Sequence, residues 1–297
     1  MRPGDVGEYD IWVVRPTGDG LRRLTRSPAN TSDYDPEWSP NGSRVLFERR
    51  PLDESGTDGD DLFTVAKDGG PPQRLTDCAD ACLSDGEATW SPDGKQITLI
   101  RATGSRADGR PSTIAVYVMR ADGSHLAKLS SPPKGLEDHY PTWSPNGRTI
   151  VFQRDTSTDV PGPTKLLAVD VNTGAERLVH PLPAWAPGSG LANFAPHGQR
   201  LLFGYWCIFG DSCPPSTRSG RNATLAVINA NGARLRPLHL GIAADTGAWS
   251  PDGKRIVFRC QPTIGTFRLC TSRLDGRELK RFPWPLGSAH PDWGVEP

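Results

Sequence analysis

Two histidines, His139 and His290, and three carboxylates, Asp35, Glu87 and Asp245, stand just ahead of short segments that end in tryptophan, with Tyr34 and Tyr140 beside them. Imidazole nitrogens and carboxylate oxygens are ligands for a divalent cation. The same groups do acid–base work when they reach one substrate together. These residues are far apart in the chain, and no local spacing forces them to meet. Only a fold that returns to one place at a regular interval would gather them.

Such an interval exists. Trp38, Trp90, Trp143, Phe194 and Trp249 each open a Ser-Pro-Asx-Gly motif or a worn copy of it, Phe194-Ala-Pro-His-Gly198, in steps of 52, 53, 51 and 55 residues. A fixed period of this size is the mark of a repeat architecture. Within each unit, proline suits the second turn position and glycine tolerates positive φ. A β-branched and aromatic run follows, such as Arg255–Arg259, and reads as a strand. A second apolar run comes after a loop of variable length, then an Asp-Gly-type hairpin, as at Asp122-Gly123, and a short strand ending in a pair such as Leu75-Thr76. Four antiparallel strands joined this way form one propeller blade.

The third- and fourth-strand pattern occurs six times, starting at Asp10–Val14 and Leu21–Thr25. The inner-strand pattern also occurs six times, ending at Pro291–Trp293, and the second-strand pattern five times. This predicts a single all-β domain over 1–297, a six-bladed β-propeller with repeats near 38–76, 90–130, 143–180, 194–240 and 249–282. Residues 10–25 and 291–293 would share a closing blade that lacks one strand. Met1–Glu8 is polar and turn-rich and does not read as an export signal. The natural frame is therefore expected to continue upstream with the absent strand and that signal.

The motif Trp249-Ser-Pro-Asp-Gly-Lys-Arg-Ile-Val-Phe258, with strands such as Asp10–Val14 or Ala115–Met119 and the turn Ala121-Asp-Gly-Ser124, resembles the TolB-type β-propeller repeat over nearly the whole chain. The resemblance implies a bacterial propeller that is periplasmic, at the cell surface or secreted. Relatives include TolB proteins that bind lipoprotein partners, propellers that gate peptidases, and oligogalacturonate lyase. The chain as given has neither the α/β domain of TolB nor a hydrolase domain, so a propeller other than TolB itself is expected.

Aspartates inside the repeated turn, Asp93 and Asp252, give way to Asn41, Asn146 and His197 elsewhere. The motif therefore reads as a packing joint, with no catalytic residue in it. The tight turns fall on one side of the disc. The long connections 49–60, 102–113, 155–164 and 204–223 fall on the other, and rigid scaffolds usually carry function on such loops. There Tyr34, Asp35, Glu87, His139, Tyr140, Asp245 and His290 are expected to ring the mouth of the central channel. They would bind a ligand without a cofactor, a divalent metal being the alternative. The acidic run Asp53, Asp58, Asp60 and Asp61 does not match a calcium loop and reads as solvated.

Six cysteines fall into three local pairs, Cys78/Cys82, Cys207/Cys213 and Cys260/Cys270, all expected on or beside the long-loop rim. Local pairing without C-x-x-C knuckles favours disulfides over zinc, hence an extracytoplasmic location. The 34 basic and 34 acidic side chains balance, which leaves no electrostatic footprint for nucleic acid. No apolar run approaches the roughly 20 residues of a membrane span. The leading expectation is a monomeric, non-catalytic module that binds a protein or a cell-wall glycan through its long-loop face. A carbohydrate-active lyase or hydrolase using His139 and His290 is the second reading, and a detached regulatory propeller of a peptidase the third.

Overall fold

The computed structural model describes residues 9–52, 59–78, 82–105, 111–156, 164–181, 193–206, 223–263, 266–285 and 291–295. All its regular structure is β. Five four-stranded antiparallel sheets follow one another along the chain. The first holds β3 (Thr31–Trp38), β4 (Arg44–Pro51), β5 (Asp61–Ala66) and β6 (Gln73–Arg74); the second holds β7 (Ser84–Trp90), β8 (Gln96–Ser105), β9 (Pro111–Arg120) and β10 (Ala127–Lys128). The third comprises β11 (Leu136–Trp143), β12 (Thr149–Thr156), β13 (Lys165–Asp170) and β14 (Glu176–Pro181). The fourth comprises β15 (Asn193–Phe194), β16 (Arg200–Trp206), β17 (Ala223–Asn229) and β18 (Arg236–Pro237). The fifth comprises β19 (Ala243–Trp249), β20 (Arg255–Thr263), β21 (Thr266–Arg273) and β22 (Lys280–Pro285).

The propeller therefore has five blades, not the six expected from the repeat count. The remaining repeat elements make only a two-stranded sheet, β1 (Trp12–Val13) and β2 (Arg22–Arg23). Residues 291–295 form no strand, yet they pack on the first blade. The Trp38 N–H donates to Asp292 Oδ2 at 2.7 Å, and a Cβ built on Gly42 would meet Val295 at 2.9 Å. The hairpin touches both neighbours: the Asp33 N–H donates to the Tyr9 carbonyl at 2.9 Å, and Gly18 lies against Phe282. Counting motifs overcounted blades because the terminal motifs lack a second strand to pair with, and two residues per strand make too few ladder bonds for a sheet to stand alone.

The hydrophobic core lies between blades. Leu46 and Leu62 of the first blade pack with Trp90, Ile97 and Leu99 of the second. Val151 and Leu166 of the third join Leu201 and Phe203 of the fourth. The repeated turn closes each joint. In every full copy of the motif its serine hydroxyl donates to the Asx side chain: Ser39 to Asn41, Ser91 to Asp93, Ser144 to Asn146 and Ser250 to Asp252, at 2.6–2.9 Å. The glycine of one turn sits over the proline of the turn before, Gly94 on Pro40, Gly147 on Pro92 and Gly253 on Pro196.

Two expectations about the rim are corrected. In the connection 102–113, residues 102–105 and 111–113 are strand, because β8 and β9 pair as far as Ser105 with Pro111. The disulfide Cys260–Cys270 is fully buried in the core shared by the fourth and fifth blades, not on a rim. Cys78–Cys82 is bonded where the first blade hands over to the second. Cys207 and Cys213 lie outside the described residues.

Candidate functional site at the channel mouth

Each long inner strand breaks register just before its tryptophan: between Tyr34 and Glu37, Gly86 and Thr89, His139 and Thr142, and Ala244 and Gly247. In the first three blades the residue three places before the tryptophan takes a left-handed conformation, Asp35 at φ 46°, Glu87 at 50° and Tyr140 at 53°. For a residue with a Cβ this costs about 1–2 kcal/mol. The gain is visible in the hydrogen bonds. The twist turns the Glu87 N–H onto Glu48 of β4, and the Tyr140 N–H onto Glu87 Oε2 at 2.5 Å. A carboxylate relay thus runs from the first blade through the second to the third.

A second ring lies at the position just before the motif aromatic. The Trp90 N–H donates to Glu37 Oε1 at 2.9 Å, as Trp38 does to Asp292. Thr89 donates to the Pro141 carbonyl at 3.1 Å, and the Asn193 amide to the Gly247 carbonyl at 3.1 Å. Asp35, Glu37, Glu87, Asn193 and Asp292 line one small cavity of about 30 Å³.

His139 stands between two carboxylates, with Nδ1 3.3 Å from Glu87 Oε1 and Nε2 3.5 Å from Glu137 Oε2. Its ring lies 5.8 Å from that of Tyr140. Burial disfavours the imidazolium, but the Glu87 and Glu137 charges outweigh it and hold the pKa well above the ordinary histidine value. The Glu87 charge, then burial, pushes the Tyr140 phenol up. Burial, reinforced by Asp35 and Asp60, raises Glu48 well above the usual carboxylate range. Burial, reinforced by Asp292, does the same for Glu37. Asp155 is raised by burial, partly offset by His139. Glu137 and His139 sit in the half of β11 nearer the long connection, with Asp155 opposite on β12, since Glu137 pairs with Asp155 and His139 with Gln153 while Trp143 lies toward the tight turn.

The sequence-predicted residues divide accordingly. Glu87, His139 and Tyr140 come together, and Asp35 and Glu87 line the cavity. Tyr34 packs on Tyr9 at 5.3 Å, with the Arg50 guanidinium over its ring. Asp245 is held by Arg259, one of four buried Asp–Arg pairs among the described residues. The others are Asp33–Arg49, Asp85–Arg101 and Asp138–Arg154. His290 lies outside the described residues. Of the acidic run, Asp60 pairs with Arg50 and Asp61 with Arg74, while Asp53 and Asp58 are outside the description. Sequence reasoning missed Glu37, Glu48, Glu137, Asp155 and Asp292. Glu37 and Asp292 had a readable signal, an acid immediately before the tryptophan; Glu48, on the second strand, had none.

Among the described residues the mouth groups are engaged with one another. Both His139 nitrogens face carboxylates at hydrogen-bonding distance, and Glu87 uses one oxygen on His139 and the other on Tyr140. Among the described residues one set gathers at ligand spacing, Cys78, Cys82 and Asp85. Its sulfurs are joined to each other, and Asp85 binds Arg101.

The fold and this interlocked ring define an all-β propeller of the repeat type opened by tryptophan and a Ser-Pro-Asx-Gly turn. The model of the TolB beta propeller domain, PD40, matches residues 4–189, and the chain belongs to that family. A TolB structure from Agrobacterium tumefaciens is similar in fold, with a TM-score of 0.64 at 16% identity, covering 92% of this chain and 86% of that one. An oligogalacturonate lyase in complex with manganese gives 0.55 at 13% identity, covering 92% and 71%. The uncharacterized peptidase YuxL of Bacillus subtilis is 26% identical over 131 residues, 41% of this chain. The chain spans 17% of that relative's length. Among the described residues no helix is long and apolar enough to cross a membrane.

Proposed function

We propose that the whole chain acts as one extracytoplasmic, non-catalytic binding module that takes a cationic segment of a protein partner at the channel mouth. The observation that carries this reading is the crowding of Glu87, Glu137 and Asp155 around the imidazole of His139. A concave site dominated by one sign of charge focuses its field on the opposite sign. The groups with catalytic chemistry are already hydrogen-bonded into the joints between blades, which suits a rigid recognition surface better than proton transfer. A cell-wall glycan bearing amino groups is a partner of the same charge. The disulfides Cys78–Cys82 and Cys260–Cys270 support a location outside the reducing cytosol.

The test compares capture from an envelope extract by the wild type, by Asp155→Lys, and by Asp122→Lys on the tight-turn face. Selective loss in Asp155→Lys, with capture falling as salt rises, supports the reading. Equal capture by all three sinks it. The lyase reading is checked with His139→Ala on acidic oligosaccharides: cleavage by the wild type that disappears in the variant would replace binding with catalysis.

A further inference from the structure

The joint between the first and second blades carries a cystine that the fold does without at neighbouring joints. From it we infer a second site, separate from the channel mouth: Cys78–Cys82 is a reversible thiol–disulfide exchange site for a dithiol protein. After β2, the Ser27 N–H donates to Asp10 Oδ1 at 2.7 Å and the Thr31 N–H to the Pro28 carbonyl at 3.1 Å. After β6, Cys78 stands in the place of Ser27, its N–H donating to Asp61 Oδ1 at 3.0 Å. Cys82 lies eight places before its tryptophan, where the passages into β3 and β11 have Asn30 at φ 60° and Gly135 at φ 83°. After β10, the Leu136 N–H donates to the Pro133 carbonyl at 2.9 Å. Neither of those passages contains a cysteine. The passage after β6 is also tied at its far end without the disulfide, by the Leu83 N–H on the Ala102 carbonyl and the Asp85 N–H on the Asp60 carbonyl, both at 2.8 Å. The two cysteines are only 4 positions apart, and closing so short a loop gives a smaller chain-entropy gain than closing a long one.

The two sulfurs are not equivalent. Cys78 is 5% exposed, whereas Cys82 is partly exposed where the chain enters β7, beside the connection that leaves β8. An incoming thiolate therefore meets Cys82, and Cys78 is the leaving group; access of this kind separates labile disulfides from structural ones. Cys260–Cys270 has no exposed surface on either residue, and a thiolate reaches it only through local opening of the core. One oxygen of Asp85 and both sulfurs of the first pair lie within 4.8 Å of one another, and Arg101 holds that carboxylate with two hydrogen bonds at 2.6 and 2.7 Å. A thiolate released there meets a carboxylate whose charge a guanidinium already balances. In the first step the partner's thiolate forms a bond to Cys82 Sγ as the Cys78–Cys82 bond breaks, and Cys78 leaves as a thiolate and takes up a proton. The partner's second thiol, deprotonated, then attacks the partner's own sulfur in the mixed disulfide and expels Cys82, which is protonated in turn. Two electrons and two protons pass from the dithiol, which becomes a disulfide, to the cystine, which becomes two thiols. The reverse sequence reoxidises the pair.

The probe is thioredoxin whose resolving cysteine is replaced by serine, which attacks a disulfide and stays attached to it. It is incubated with the full chain, and peptide mapping by mass spectrometry reads each cysteine separately. Thioredoxin is expected on Cys82, joined at least about tenfold faster than on Cys260 or Cys270. In a graded dithiothreitol series, alkylation should mark Cys78 and Cys82 while Cys260–Cys270 stays closed. The melting temperature should hold across that step, and oxidised glutathione should restore the bond. The double variant Cys78→Ser with Cys82→Ser should melt with the wild type, since a serine already serves at Ser27, and should lose the Cys82 adduct. Survival of Cys78–Cys82 for as long as Cys260–Cys270, or absence of a mixed disulfide at Cys82, overturns the proposal. So does a fall in melting temperature both on opening the bond and in the double variant, which would make the cystine a structural staple.

Discussion

The Tyr140 N–H donates to Glu87 Oε2 at 2.5 Å across the joint between the second and third blades, while the other oxygen of the same carboxylate faces His139 Nδ1. One side chain thus fixes the strained turn of the next blade and the charge of its neighbour. In Glu87→Gln the amide oxygen still accepts the Tyr140 N–H, but the negative charge is gone, so the His139 pKa should fall toward the ordinary value near 6.5. Because the folded-state pKa of His139 is raised, its stabilising contribution is complete below the unfolded value and disappears as pH rises through the folded one. The wild type should therefore lose melting temperature over that window and the variant should lose less. Histidine titration by NMR and thermal melts across pH check both statements, and an unchanged His139 titration would refute the coupling.

Glu48 gives a dependence that the same melts can separate. Burial and the Asp35 charge raise its pKa, so the protein is favoured below the unfolded glutamate value, near 4.3, and loses that advantage as pH climbs toward the folded value. Glutamine cannot ionise, yet it still accepts the Glu87 N–H. Glu48→Gln should match the wild type at about pH 4 and melt higher at about pH 8. A lower melting temperature at both values would mean that the shape of the carboxyl matters more than its charge.

Two hairpin glycines with the same φ sign should respond differently to alanine. A Cβ on Gly232, at φ 83°, would stand 2.0 Å from the Val179 carbonyl oxygen of the preceding blade, whereas one on Gly174, at φ 69°, meets nothing within 4 Å. Gly174→Ala should cost only the left-handed penalty, about 1 kcal/mol. Gly232→Ala must also push two blades apart and should cost about 2–4 kcal/mol. Denaturant melts of the two variants decide it, and equal losses would show that the turn alone, without the interblade contact, sets the requirement.

The contrast shows what the chain made legible. Turns, strands and the fifty-residue period depend on near neighbours, so Ser39-Pro-Asn-Gly42 and its copies could be read directly. Closure of the ring depends on pairing between the two termini, and there the short runs at Trp12–Val13 and 291–293 misled the blade count. Glu87, His139 and Tyr140 could be picked out because they stand in the repeated segment that ends in tryptophan. Glu48 was hidden because its role exists only once another blade is packed against it. The buried Asp–Arg pairs had a spacing signal that was present but unused: aspartate five places before the tryptophan in Asp33, Asp85 and Asp138, and arginine two places after the aromatic or leucine in Arg49, Arg101 and Arg154.

Those pairs make the last prediction. Arg154 Nε and Nη2 donate to Asp138 Oδ1 and Oδ2 at 2.6 and 2.8 Å, Arg154 also reaches Glu176, and Ser130 at the end of the second blade donates to Asp138 at 2.6 Å. Asp138 is fully buried. Asp138→Ala strands a guanidinium and a hydroxyl inside the protein, and breaking a buried pair from one side costs about 3–5 kcal/mol. Replacing both partners, Asp138→Leu with Arg154→Met, removes the charges that need each other and should recover most of that loss. A double-mutant cycle by urea denaturation reads the difference. If the double variant is no more stable than Asp138→Ala, the pair serves to hold Ser130 and Glu176 in place, and its cost is structural and not electrostatic.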